Sequence, residues 1–256
     1  MSEQNTPPIA ENEYVKELLA VLQAHQAPGY QEFAEVIGHV TEMEQRLADA
    51  VEELKNVRQE LQEVQSHTLK ASLQKTSQAL ESSVASMRQR LAALKQNIVE
   101  GCKNALTEFK AHGASALDGI ARFFHIKPAL ESMRSSMDVS IRTDDKAIAK
   151  IEAFSAEYHE AGRHLKNMGR ALRGKEAVQE AKGVGRLAKT IQAPYRAERA
   201  CMVAAKKCVE KALDSLARLE QSAQRKPSVL KTMQENGEKV QPPQAKTAPT
   251  ADRGER

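Results

Sequence analysis

The chain of 256 residues has no tryptophan, and aromatics make up only 4% of it. A β-sandwich or barrel draws on aromatic and β-branched residues far more heavily, so the shortage argues against one. Cysteine occurs three times, widely spaced, which excludes a disulfide scaffold and suits free thiols in a reducing cytoplasm. No apolar run approaches the roughly 18 residues of a membrane span, so no membrane partner is expected. Residues 1–10 lack the basic and apolar regions of a signal peptide. Proline is scarce and clustered: none falls between Pro28 and Pro128, or between Pro128 and Pro194. Proline breaks helix interiors, so these gaps leave room for long helices.

Ala, Glu, Lys, Arg and Leu fill close to half of the chain, a composition of long helices or coiled coil. Alanine buries little area, so the core should consist of thin helix–helix seams. The expected fold is all-α: an N-terminal antiparallel coiled-coil hairpin, then a helical bundle, with disordered tails. The expected divisions are a tail at 1–10, a first helix plus hairpin at 11–113, a bundle with a basic surface at 114–230, and a second tail at 231–256, where Pro242, Pro243 and Pro249 sit among polar residues.

Residues 13–26 read as an amphipathic helix with Val15, Leu18, Leu19 and Leu22 on one face, followed by a turn at 27–29. Val36, Val40, Met43, Leu47, Ala50, Leu54, Val57, Leu61 and Val64 then alternate spacings of four and three, an unbroken heptad seam that needs a partner helix. The phase slips at 65–68, and a second seam runs through Leu73, Ser77, Leu80, Val84, Met87, Leu91, Leu94 and Ile98. The first seam is acidic, with a net charge of −4 over 36–64; the second is basic, +4 over 69–110. Opposite charge favours an antiparallel intrachain pair, and one continuous stuttered helix is the alternative.

Gly113 closes that helix, and Ser115 with Asp118 matches a capping box for the next. Ile120, Phe123 and Phe124 promise a local core. The chain over 129–173 reads as one helix carrying Leu130, Met133, Met137, Ile148, Ile151, Phe154, Tyr158, Leu165 and Leu172, with 143–145 the place where an interruption is open. Ser155, Gly162 and Gly169 recur every seven residues beside that face. Glycine in a helix costs about 1 kcal/mol, so a packing role is expected against the small-residue face of a last helix at 195–224 (Cys201, Ala204, Ala205, Cys208, Ala212, Ser215).

Three strings imitate active-site motifs. Residues 169–175 fit GxxxxGK, but Glu176 follows where a P-loop needs Ser or Thr. Residues 183–188 fit GxGxxA with no strand before them. His159 and His164 stand five apart, which puts them about 140° apart on a helix and rules out a shared metal. Cys201 and Cys208 share a face but lack histidines at ligand spacing. No catalytic arrangement, cofactor site or metal site emerges, so the protein is read as a non-enzyme.

Charge carries the strongest functional signal. Residues 1–100 have a net charge of −6 and 101–256 of +10; within the latter, 161–211 alone reach +9. Arg163, Lys166, Arg170 and Arg173 form one helical stripe, and Lys182, Arg186 and Lys189 another. Such a surface contacts nucleic-acid phosphates, docks an acidic protein, or simply faces solvent. With Tyr195 the lone aromatic in the stretch, base stacking is not expected. The leading expectation is an interaction or scaffold protein that binds a protein partner through helical surfaces, in the cytoplasm, with a homo-oligomer left open. Sequence-nonspecific nucleic-acid binding is the alternative.

The strings NEYVKEL (12–18), EGCKNA (100–105), ARFF (121–124), EYH (157–159), AGRHL (161–165), AERAC (197–201) and AAKKCVEKAL (204–213) give the chain a further identity over about 12–230. It resembles an uncharacterised family of helical proteins, a domain of unknown function, from Gram-positive gut bacteria. That family is often encoded on integrative and conjugative elements. The resemblance implies an accessory role for a mobile element and brings no activity or site residues.

Overall fold

The computed structural model describes residues 7–62, 67–173, 175–177 and 186–224, with side chains at 7–59, 74–173, 175–177 and 188–222. Among the described residues the chain is all-α. The helices are α1 (Glu13–Ala24), α2 (Tyr30–Gln62), α3 (His67–His112), α4 (Lys127–Ala171) and α5 (Arg186–Gln224), with 3-10 segments at Ile9–Glu11 and Gly113–Phe123. The chain divides into Met1–Ala223, which carries the packed core, and Gln224–Arg256. Past Gln224 the latter, with the tail 231–256, lies outside the described residues.

The heptad residues of α2 from Val36 to Val57 are buried, and so are Ser77, Leu80, Val84, Met87, Leu91, Leu94 and Ile98 of α3. Each large side chain so buried contributes about 1.5–3 kcal/mol. Leu61, Val64 and Leu73 fall outside the described side chains, as does the whole of the slip at 65–68. Lys95 pairs with Glu44, and Arg58 with Glu81 at 3.6 Å. Later residues of α2 thus meet earlier residues of α3, so the two helices run antiparallel and their opposite charges face each other.

The other neighbours follow the same rule. Arg90 of α3 donates to Ser132 of α4 at 2.9 Å, and Ser83 meets Ser140 at 3.1 Å. Between α4 and α5, Lys206 pairs with Asp138 at 2.7 Å and Arg196 with Glu152 at 2.9 Å. Helix α5 returns to α2, where Ser215 donates to Glu35 at 2.9 Å and Cys201 to the Arg46 carbonyl at 3.5 Å. This is the topology of an up-down-up-down four-helix bundle. One buried cluster takes residues from both sides of position 113, among them Leu47, Leu94, Leu130 and Leu216.

Several local expectations differ from what is found. Ile9 is 1% exposed and its N–H donates to Glu44 at 3.0 Å, so the packed chain begins before residue 11. The capping box at 115–118 does not form. Ser115 donates back to the His112 carbonyl at 3.1 Å, and the segment stays a 3-10 coil because Ala116, Leu117 and Ile120 are drawn into the core. Helix α4 is unbroken at 143–145, where the Thr143 hydroxyl bonds the Val139 carbonyl within the helix at 2.9 Å. Helix α5 starts at Arg186 rather than at 195 and runs through Pro194. Burial of Ala188, Gln192 and Glu198 on either side outweighs the hydrogen bond the proline forfeits.

The small-residue pairing is also corrected. The Cys201–Ser215 face of α5 meets α2, through Cys201 at the Arg46 carbonyl and Ser215 at Glu35, and not Gly162 and Gly169. A Cβ at Gly162 would meet nothing within 4 Å, and one at Gly169 would meet only Arg173 at 3.8 Å. Close packing falls instead on Gly101, where a Cβ would lie 2.7 Å from the Phe123 carbonyl and 2.7 Å from the Phe124 ring, which itself stacks on Phe33 at 4.7 Å. Gly162→Ala should therefore leave stability unchanged or raise it by up to about 1 kcal/mol. Gly101→Ala should lower stability by about 1–3 kcal/mol. Thermal melts of the two variants check both; a reversed order would contradict the packing described.

Candidate functional site

The outer half of α4 carries the first basic stripe. Arg163 donates to Glu160 at 3.1 Å, Arg170 to the Glu176 carbonyl at 2.7 Å, and Lys166 and Arg173 are exposed. Lys189 is exposed on α5. Lys182 and the Arg186 side chain lie outside the described residues, as do Gly183 and Gly185 of the GxGxxA string. The structure thus groups Arg163, Lys166, Arg170 and Arg173 on one helix and places Lys189 on another.

The same stretch of α4 exposes Phe154 (70%), Tyr158 (70%), Leu165 (67%) and Leu172 (84%), which the sequence placed on one apolar helix face, and with them Met168 (60%). With Ile151 and Ala161 they keep three-four spacing, so they form a heptad row with no partner helix among the described residues. The reason is register. Asp145 pairs with Arg199 and Glu152 with Arg196. Extended from there, Arg186, where α5 begins, falls near residue 160 (about 1.5 Å of rise per residue). Past that level α4 has no α5 beside it. The basic stripe borders this row: Lys166 follows Leu165, and Arg173 follows Leu172.

A second feature lies on the inner half of α4. A groove of about 960 Å³ runs between α3, α4 and α5, lined by hydroxyls such as Ser83, Ser86, Ser136 and Ser140 together with apolar side chains such as Ala79, Met87 and Val139. Asp144 and Glu198 line it, and they are only 2% and 1% exposed. Ser83 donates to Ser140 at 3.1 Å and Ser140 to Glu198 Oε1 at 2.9 Å. Glu198 Oε2 and Asp144 Oδ2 are buried with no hydrogen-bond partner among the described residues. Burial pushes both carboxyls up, and the neighbouring Glu198 adds to the effect on Asp144, which reaches about 7. Arg199 acts on Asp144 in the opposite sense, but its guanidinium is held by Asp145.

Sequence reasoning missed this pair because 54 positions separate its members and helix packing alone brings them together. A signal was present nonetheless. Ser132, Ser136, Ser140 and Asp144 recur every fourth residue, a polar row on one face of a helix interior.

His164 sits 3.6 Å from Glu160, and among the described residues no group of three or more ligating side chains could hold a metal. Gly169 is helical, without the strand-to-loop setting of a P-loop. All three cysteines are free. Burial pushes the Cys102 and Cys201 thiols up to about 12 and raises Cys208 as well, which makes them poor nucleophiles. Among the described residues no helix is long and apolar enough to cross a membrane.

The Asp144 carboxyl makes stability depend on pH. Its ordinary value is 3.8 and its folded value about 7, so between those limits the folded state holds a proton that the unfolded chain releases. The stabilising contribution is complete below about pH 4 and is lost as pH rises through 7. Asp144→Asn removes this dependence. At pH 8 the variant should be more stable than the parent by on the order of 2 kcal/mol, with the advantage gone at pH 4. Urea melts at the two pH values test this; an equal difference at both would contradict the assignment.

No curated protein and no solved structure matches the chain. A family model described as a family of unknown function, DUF6674, matches residues 11–256. With nearly all of its length covered by that match, the chain belongs to the DUF6674 family.

Proposed function

We propose that the protein is a non-catalytic helical interaction protein that docks a partner helix on the outer half of α4. The observation that supports this reading is the row of five large apolar side chains, 60–84% exposed at heptad spacing. Contiguous exposed apolar surface of this kind marks an interaction site rather than ordinary surface scatter. The partner's chemistry follows from the border. An amphipathic helix with an acidic flank would cover Tyr158, Leu165 and Leu172 while pairing with Lys166 and Arg173. A cytoplasmic setting, and the accessory role for a mobile element implied by the family resemblance, belong to the same proposal.

A second reading is sequence-nonspecific nucleic-acid binding. The exposed cations Lys166, Arg173 and Lys189 favour it. Against it, Arg163 and Arg170 already have acceptors within the chain.

Leu165→Asp with Leu172→Asp alters exposed positions, so the fold should persist. Affinity capture from the native host should yield a protein held by the parent chain and weakened at least about tenfold by the double variant. Capture of the same proteins by both would overturn the site. Binding of a labelled duplex between about 50 and 200 mM salt separates the readings. Steep salt dependence abolished by Arg170→Ala with Arg173→Ala would favour nucleic acid.

A further inference from the structure

We propose that the groove between α3, α4 and α5 binds a small aliphatic amine, with its ammonium group held by Asp144 and Glu198. The site lies on the inner half of α4, apart from the docking row, and does not depend on it.

Three observations converge. First, both carboxylates are at least nine-tenths buried and line the groove, and each keeps one oxygen without a donor. A buried acceptor is stable only when something donates to it. Second, among the described residues no Lys or Arg pairs directly with either carboxylate. Arg199, the cation that bears on Asp144, is bonded to Asp145. Third, the walls suit the rest of an amine. Serine hydroxyls accept N–H bonds, while Ala79, Met87 and Val139 offer apolar surface for a hydrocarbon stem. Val139 stands 61% exposed on that wall, an apolar side chain with little to cover it.

The chemistry of the site selects among ligands. An anion would face two buried acceptors. A neutral alcohol could donate a hydrogen bond but would leave the charges uncompensated. A hard metal ion needs about six oxygen ligands, and two carboxylates among neutral hydroxyls fall short. An ammonium brings three donors and one positive charge. At the rim, Lys75 and Arg90, the latter bonded to Ser132, disfavour a second ammonium at the mouth. The site therefore fits a short monoamine better than an extended polyamine. Its volume of about 960 Å³ is ample for one.

Calorimetric titration of the full chain at pH 8 with n-butylammonium chloride tests the proposal. The expected result is saturable one-site binding, with a Kd of about 1 mM or tighter. n-Butanol, of similar shape but uncharged, should bind at least about tenfold more weakly, and Asp144→Asn or Glu198→Gln should weaken the amine by a similar factor. Val139→Trp fills the groove from an exposed position without touching either carboxylate. It should also abolish binding, which keeps the test decisive if a carboxylate variant misfolds. Absence of saturation by about 10 mM, equal binding of butanol, or saturation by calcium chloride with no response to the amine would each overturn the proposal.

Discussion

The antiparallel register of α2 against α3 is the constraint on which the rest depends, and the Lys95–Glu44 pair marks it. The two side chains are 10% and 19% exposed, so a slip of the seam would strand a charge away from water. Leucine and valine layers alone tolerate a one-heptad shift; a single buried pair does not. The same pair extends the order to the N-terminus, where Lys95 also donates to the Pro7 carbonyl at 2.8 Å and Glu44 accepts from Ile9. With that register set, the second face of α3 presents Ser83 and Arg90 to α4, and α4 in turn positions α5.

Two parts of α4 depart from the pattern of apolar inside and polar outside, in opposite senses. The inner half buries a carboxylate in a hydroxyl-lined groove; the outer half leaves a heptad row in solvent. Both departures cost stability that a purely structural helix would not forgo, and such local violations concentrate where a molecule meets something else. The helix between them is continuous, so the two features share one rigid element.

Much of this was legible in the sequence. The heptads of α2 and α3 are periodic over many residues, and their opposite net charges point to the antiparallel pair. The turn at Gly29, with its φ of 92°, and the end of α3 at Gly113 follow from glycine itself. The rest was hidden for definable reasons. Periodicity shows that Phe154, Tyr158 and Leu165 share a face but not whether a helix covers that face. Ser115 and Asp118 satisfy a capping pattern, yet burial of Leu117 and Ile120 decides the backbone. Pro194 signals a boundary, and burial overrides it. The Asp144–Glu198 pair depends on the crossing of α4 and α5, which no local pattern encodes.

The turn that opens α2 has a further consequence. A Cβ on Gly29 would lie 2.6 Å from Leu219, and Glu35 accepts from Ser215 and Arg218. The beginning of the bundle is thus closed by its end. During synthesis the α2–α3 pair can assemble while the chain is still growing, but its α5-facing side stays open until the last turns of α5 leave the ribosome. For that interval Glu35, Arg46 and their neighbours present a half-finished surface. A nascent-chain chaperone, or a premature stop a few residues before Leu219, would act on that intermediate rather than on the finished bundle.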